Sequence, residues 1–186
     1  MSVEEYLAFE RASEIKHEYF DGEIYAMTGA SEAHNLINLN VATALKNQLR
    51  GRPCKIYASD MRVKMARSRI YTYPDISVVC GEARFAHGEF DTLINPTLII
   101  EVLSPSTERH DRGAKFRAYR ELDSLQEYLL IEQDAPRIER YLRQESGLWL
   151  FSEAKDLSET MELPSIGCTL ALVDVYEQVS FTTTEE

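Results

Sequence analysis

The run "LIIEVL", residues 98 to 103, constrains the fold more than any other stretch. It is apolar except for Glu101, it stops at Ser104-Pro105, and a second apolar run, "EYLLIE", follows at 127 to 132. The residues between suit a helix, with Ser106 or Thr107 as its cap and an end near Leu122. Strand, helix and strand in that order make a crossover whose two strands run parallel and are covered on both faces. An α/β fold follows, with a mixed central β-sheet flanked by α-helices. Along the first strand, Ile99, Glu101 and Leu103 share one face, and Leu98, Ile100 and Val102 share the other. Glu101 is the anomaly. A carboxylate between Ile99 and Leu103 loses hydration and needs a cation or hydrogen-bond donors. The open N–H groups at the start of the following helix would satisfy it as a plain anchor.

Local signals place the rest of the chain. Ser2 followed by Glu5 is a capping-box pattern that opens a short helix through Phe9. "HEYFDGEIYAM", residues 17 to 27, reads as a hairpin turning at Asp21-Gly22, where both positions tolerate positive φ. Leu36, Leu39, Val41, Ala42, Leu45 and Leu49 recur at helical spacing between Ser31, a suitable N-cap, and Gly51, a stop. Strands are expected at 54–58, 61–66, 75–80 and 97–103. In the tail, "RIERYLRQ" and "LWLFSE" meet at Gly147, followed by Leu163 to Tyr176. No repeat or long linker divides the chain, so residues 1–186 read as a single domain.

Composition narrows the function classes. Hydrophobic residues make up 44% and charged residues 27%, which excludes a disordered chain. No apolar run approaches the roughly 20 residues of a membrane-spanning helix. The N-terminus carries acids where a secretion signal needs bases, so a cytoplasmic protein without a membrane partner is expected. Cys54, Cys80 and Cys168 are widely separated with no CxxC pair, and read as packed, reduced thiols. The net charge of -11 is unfavourable to a polyanion, but the charge is polarised. Between Lys46 and Thr72 stand eight bases and one acid, Asp60; between Arg109 and Arg120 stand five bases and one acid, Asp111. Such runs are commonly solvated faces. Here both flank the same candidate acids, so Arg62, Lys64, Arg67, Arg109 and Arg112 are candidate phosphate contacts to DNA.

The second of those acids is Asp75 in "TYPDISVVC", at the edge of another apolar strand directly after Pro74. A turn-capping role would account for it alone. Two carboxylates delivered from neighbouring strand ends are hard oxygen ligands, suited to Mg²⁺ or Mn²⁺ and to phosphate substrates. The chemistry this permits is metal-assisted hydrolysis, with no organic cofactor.

Pro74-Asp75, then Glu101 at the end of an apolar strand, resembles the signature of the PD-(D/E)xK nuclease superfamily. "EVLSPST" with Asp111, Lys115 and Tyr119 downstream, together with "HEYFDGEIYAM" and the helix bearing His34, is similar more closely to the bacterial Uma-two family of restriction-endonuclease-like proteins, over roughly residues 15 to 135. The resemblance implies a restriction-endonuclease-like core and a divalent-metal-dependent endonuclease acting on DNA. It implies Asp75 and Glu101 as catalytic metal ligands, with a carbonyl at Val102 adding an oxygen, and with Glu18 either completing the shell or standing as a solvated hairpin carboxylate. Two residues after Glu101, where the superfamily has lysine, stands Leu103. Lys115, on the following helix, is the substitute the family resemblance implies; Asp111, four residues earlier, is its positioning partner or simply one half of a surface ion pair. Lys64 is the alternative lysine.

His34 could orient a phosphate or water, or be a structural histidine. His17 and His110 carry less signal, and Tyr119 reads as core packing. A second class of reading is a catalytically silent module that keeps the nuclease fold and binds nucleic acid or protein; Leu103 supports it. A third is hydrolysis of another phosphate ester. Cutting both strands of a duplex is geometrically easier with two sites about a two-fold axis, so a homodimer is expected.

Overall fold

A computed structural model describes residues 1–86 and 91–181. The elements in chain order are α1 (Val3–Ala12), β1 (His17–Phe20), β2 (Glu23–Ala26), α2 (Glu32–Gln48), β3 (Cys54–Ala58), β4 (Arg62–Lys64), β5 (Ile70–Thr72), β6 (Ile76–Cys80), β7 (Thr92–Leu93) and β8 (Leu98–Val102). There follow α3 (Glu108–His110), a π-helical turn (Asp111–Lys115), α4 (Phe116–Tyr119), β9 (Glu127–Ile131), β10 (Ile138–Arg143), β11 (Trp149–Ala154), β12 (Thr160–Leu163), β13 (Cys168–Ala171) and α5 (Leu172–Val175).

The local signals act as expected at the amino end. Ser2 and Glu5 cap α1 reciprocally, and Asp21 and Gly22 take positive φ to turn the β1–β2 hairpin. The expected crossover is present: β8 and β9 pair in parallel, with Glu101 opposite Leu130. They lie inside a six-stranded mixed sheet ordered β11-β10-β9-β8-β6-β3. One face buries Ile76, Val78, Leu98, Ile100 and Val102 against Ile37, Val41 and Leu45 of α2. The opposite face buries Ile99 and Leu103 with Val63, Leu93, Tyr119 and Tyr128. The period-2 alternation of β8 is thus realised, and its two faces belong to two different cores. A hydrophobic side chain of this size stabilises by about 1.5 to 3 kcal/mol when fully buried, so the strand holds its register firmly.

Three features depart from expectation. The strands do not form one sheet: the hairpin, β5, β4 and β7 make a separate five-stranded sheet ordered β2-β1-β5-β4-β7. β5 and β7 have three and two residues, too short to show any alternation. The helix expected to run to Leu122 ends at Tyr119 and is interrupted by the π turn around Gly113. Finally, Cys54 and Cys80 are bonded to each other rather than both reduced. They oppose one another across the β3–β6 ladder, a proximity that a separation of 26 residues hides. Cys168 is free and buried. Among the described residues no helix is long and apolar enough to cross a membrane.

Candidate metal and phosphodiester site

The antiparallel register sets Ile76 opposite Ile100 and Ser77 opposite Ile99. Continued by one residue, it sets Asp75 opposite Glu101 at the end where β8 finishes and β6 begins. Pro74 enters this position without an N–H to satisfy. Asp75 Oδ2 accepts the Val102 N–H at 2.7 Å, which ties the acid to the end of β8. Its Oδ1 lies 3.2 Å from His34 Nε2, delivered by the first turn of α2 behind the Ser31 cap.

Glu101 is 3% exposed and meets the helical segment that follows it. Its Oε1 accepts the Tyr119 hydroxyl at 2.7 Å and lies 3.3 Å from Lys115 Nζ. The Lys115 ammonium, 7% exposed at the side chain, also lies 2.9 Å from Glu18 Oε1 and 3.2 Å from Asp111 Oδ1. The pairing with Asp111 is therefore buried, unlike the surface i,i+4 pair that spacing alone permits. The π turn carries both residues, and Asp111 and Lys115 stand buried side by side on it. Glu18 comes from β1 in the other sheet, and its Oε1 accepts the Tyr73 N–H at 3.2 Å. Lys115 thus bridges the two sheets.

The electrostatics follow from three carboxylates around one buried ammonium. Burial raises the Glu101 carboxyl well above its ordinary range; Lys115 opposes this, and Asp111, Asp75 and Glu18 add to it. Burial alone would lower Lys115, but Glu101, Glu18 and Asp111 together hold it well above the usual lysine value. The two directions agree: the ammonium stays charged, and Glu101 is the acid of the cluster pushed toward holding a proton. At His34, burial lowers the imidazole, and the Asp75 hydrogen bond and charge, with Asp111 and the Val102 backbone, outweigh it. His34 therefore titrates above its ordinary value.

A raised folded value means that the His34–Asp75 pairing stabilises fully below about pH 6.5 and is lost as pH rises through the elevated folded value. An NMR titration of metal-free protein should show a His34 midpoint above about 6.5, moving down in Asp75→Asn. A parent midpoint at or below the ordinary value would contradict this assignment.

The donor set fits a hard dication in kind and in charge. Asp75, Glu101 and the Val102 carbonyl are oxygens, and the carboxylates outnumber the nearby cations. Among the described residues, however, no three Asp, Glu, His or Cys side chains converge closely enough to enclose an ion. Asp75 is closed by His34 and Glu101 by Lys115.

Other candidates fall elsewhere. Arg62, expected at a phosphate, is 2% exposed: Nε donates to Thr92 Oγ1 at 3.0 Å, and the guanidinium sits among Tyr6, Tyr71 and Tyr73 and 3.0 Å from Asp91. It is an internal cation, corrected from a surface one. Arg112 is drawn inward by Glu108, Glu132 and Glu139. Arg67 and Arg109 are exposed, and Lys64, on β4, is half-buried. His17 is buried against Glu10, while Phe20 packs edge-on to His110. Sequence reasoning treated Tyr119 as packing; its position one turn beyond Lys115 was the available signal for its contact with Glu101. Thr72, 3.0 Å from the Tyr119 hydroxyl, had no such signal.

A family model described as "Uma2: Putative restriction endonuclease" matches residues 3–173. The chain is 41% identical over 181 residues to "Uncharacterized protein slr1290" of Synechocystis sp. (strain ATCC 27184 / PCC 6803 / Kazusa), covering 97% of this chain and 94% of that one. It is 39% identical over 153 residues to "Uncharacterized protein sll1609" of the same organism, covering 82% and 86%. In fold it is similar to the crystal structure of "a putative nuclease belonging to DUF820" from Anabaena variabilis ATCC 29413, with a TM-score of 0.79, 20% identity, and coverage of 97% of this chain and 99% of that chain.

Proposed function

We propose that this chain, which belongs to the Uma2 family, is a divalent-metal-dependent endonuclease that hydrolyses DNA phosphodiester bonds. One observation carries the reading: Asp75 and Glu101 oppose each other at adjoining strand ends, with the Lys115 ammonium on Glu101. Asp75, Glu101 and the Val102 carbonyl would hold Mg²⁺ or Mn²⁺, with Glu18 as a further oxygen. When bound, the dication supplies Lewis acidity toward the phosphate and its attacking water. The protein's own contribution is positioning and charge. Tyr119 and Lys115 fix Glu101 Oε1, and the Val102 N–H fixes Asp75 Oδ2. Lys115 offsets negative charge as it develops on the phosphoryl oxygens. Leu103, buried where the superfamily has its lysine, packs in the core, so the ammonium arrives from the helix instead. Two copies about a two-fold axis would offer one such site to each strand of a duplex.

A second reading, a binding module without catalysis, is favoured by the closure of both acids on internal cations. Nicking of supercoiled plasmid with Mg²⁺ or Mn²⁺ separates the two. Asp75→Asn and Glu101→Gln are each expected to slow nicking by about 100-fold or more, the scale of removing one electrostatic stabiliser. Wild type that nicks no faster than the Asp75→Asn/Glu101→Gln double variant, yet retards DNA in a gel, establishes the silent module.

A further inference from the structure

We propose a second ligand site: the cavity between the end of β4 and the chain after α4 receives one nucleotide unit, its phosphate between Lys64 and Arg84. The cavity holds about 290 Å³ and is lined by Lys64, Met65, Arg84, Ile94 and Leu122, with Asp123 and Ser124 at one side. Its floor is apolar and firm, since Met65 and Leu122 are buried. Its polar lining is cationic. Asp123 is the one acid in it, 88% exposed at the side chain and drawn 3.9 Å from Arg67 at the rim. Among the described residues neither Lys64 nor Arg84 has a carboxylate within ion-pair distance.

Two cations without an ion-pair partner among the described residues, set over an apolar floor, suit an oxyanion joined to a flat, weakly polar body. In a chain of net charge -11 such a concavity is conspicuous, because a local cluster of one sign concentrates ligands of the other. The volume is near the lower bound for small-molecule pockets, about 300 Å³, which suits a single nucleotide. Hydrogen bonds to backbone carbonyls hold the walls: Ile94 N–H donates to the Arg84 carbonyl at 3.0 Å, and the Ser124 side-chain Oγ donates to the Pro96 carbonyl at 2.8 Å. The second of these bonds places the cavity at the start of β8. Glu101, five residues further along the extended chain, is roughly 16 Å away. A nucleotide in the cavity and a bond cleaved at Glu101 therefore belong to different parts of one ligand, or to different molecules. That the oxyanion is a nucleotide rests on the nuclease reading; the anion site itself does not.

The test titrates the full, metal-free chain with thymidine monophosphate, with inorganic phosphate and with a short 5′-phosphorylated oligothymidylate, following the Met65 methyl resonance and the heat of binding. Both nucleotide ligands are expected to saturate and to shift Met65. The Lys64→Gln/Arg84→Gln double variant, with unchanged circular dichroism, is expected to bind at least about ten-fold more weakly, with a shallower salt dependence. An oligonucleotide that binds ten-fold tighter than the monophosphate identifies a strand as the occupant, and equal affinities identify the free nucleotide; either supports the site. Absence of saturation, equal binding by the double variant, or inorganic phosphate binding as tightly as the nucleotide overturns it. Because no metal is present, loss of this binding beside intact plasmid nicking removes the cavity and leaves the nuclease, and intact binding without nicking does the reverse.

Discussion

Lys115→Met is expected to destabilise the folded chain by about 3 to 5 kcal/mol, the cost of removing one partner from a buried ion cluster. The side chains of Lys115, Glu101, Glu18 and Asp111 are 7%, 4%, 10% and 3% exposed, so solvent does little to screen what is left. Methionine fills the volume of the lysine stem, which separates the loss of charge from the loss of packing. Urea denaturation with an unchanged m-value measures the effect. Adding Glu101→Gln should recover part of the loss, because it removes the acid that burial most strains, and the double-mutant cycle gives the coupling directly. A change below about 1 kcal/mol would mean that water or a rearranged acid takes over the ammonium's role. The same variant is expected to lose plasmid nicking in samples kept folded at low temperature.

Arg62→Met is expected to cost about 2 to 4 kcal/mol, from lost charge-assisted hydrogen bonds and desolvated cation–π contacts. Its guanidinium lies 5.8 to 6.0 Å from the centres of Tyr6, Tyr71 and Tyr73 and bonds Thr92, so it knits α1 to the five-stranded sheet. Asp91 is 40% exposed and regains water when the arginine goes, which keeps the cost below that at Lys115. The Tyr73 N–H also bonds Glu18, so the loss should loosen the chain entering Asp75. Arg67→Ala, at a 75% exposed side chain, is the control and should stay within about 0.5 kcal/mol. If Arg62→Met instead weakened DNA binding with stability unchanged, Arg62 would be a phosphate contact after all.

The comparison of these two cations shows what the sequence could reveal. Both lie in runs of basic residues, and a linear charge count treats them alike; only tertiary packing sends Arg62 inside. Glu101 and Asp75 were legible because an acid at the end of an apolar run violates a pattern that is otherwise regular. Lys115 was legible only with the family resemblance, since no periodicity relates position 115 to the strand at 101. Glu18 reaches the same ammonium from another sheet, and nothing local in "HEYFDG" tells of that pairing. The same limit hid the Cys54–Cys80 bond and the division into two large sheets, both of which depend on which short strands find each other. Hairpin, caps, the long helix and the crossover were readable because each is fixed by neighbours within a few residues.

With its ammonium on the π turn, the site depends on rotational phase. A lysine two places after the acid on one strand keeps its face whatever the chain does afterwards. A lysine fourteen places on keeps it only while the number of intervening residues is preserved. One residue gained or lost within the helical segment, between Glu108 and Ala114, would turn Lys115 by about 100° around the helix, away from Glu101. The helical stretch from Glu108 to Lys115 is therefore held to a fixed length by the buried ion cluster, while the turn before it stays free to vary.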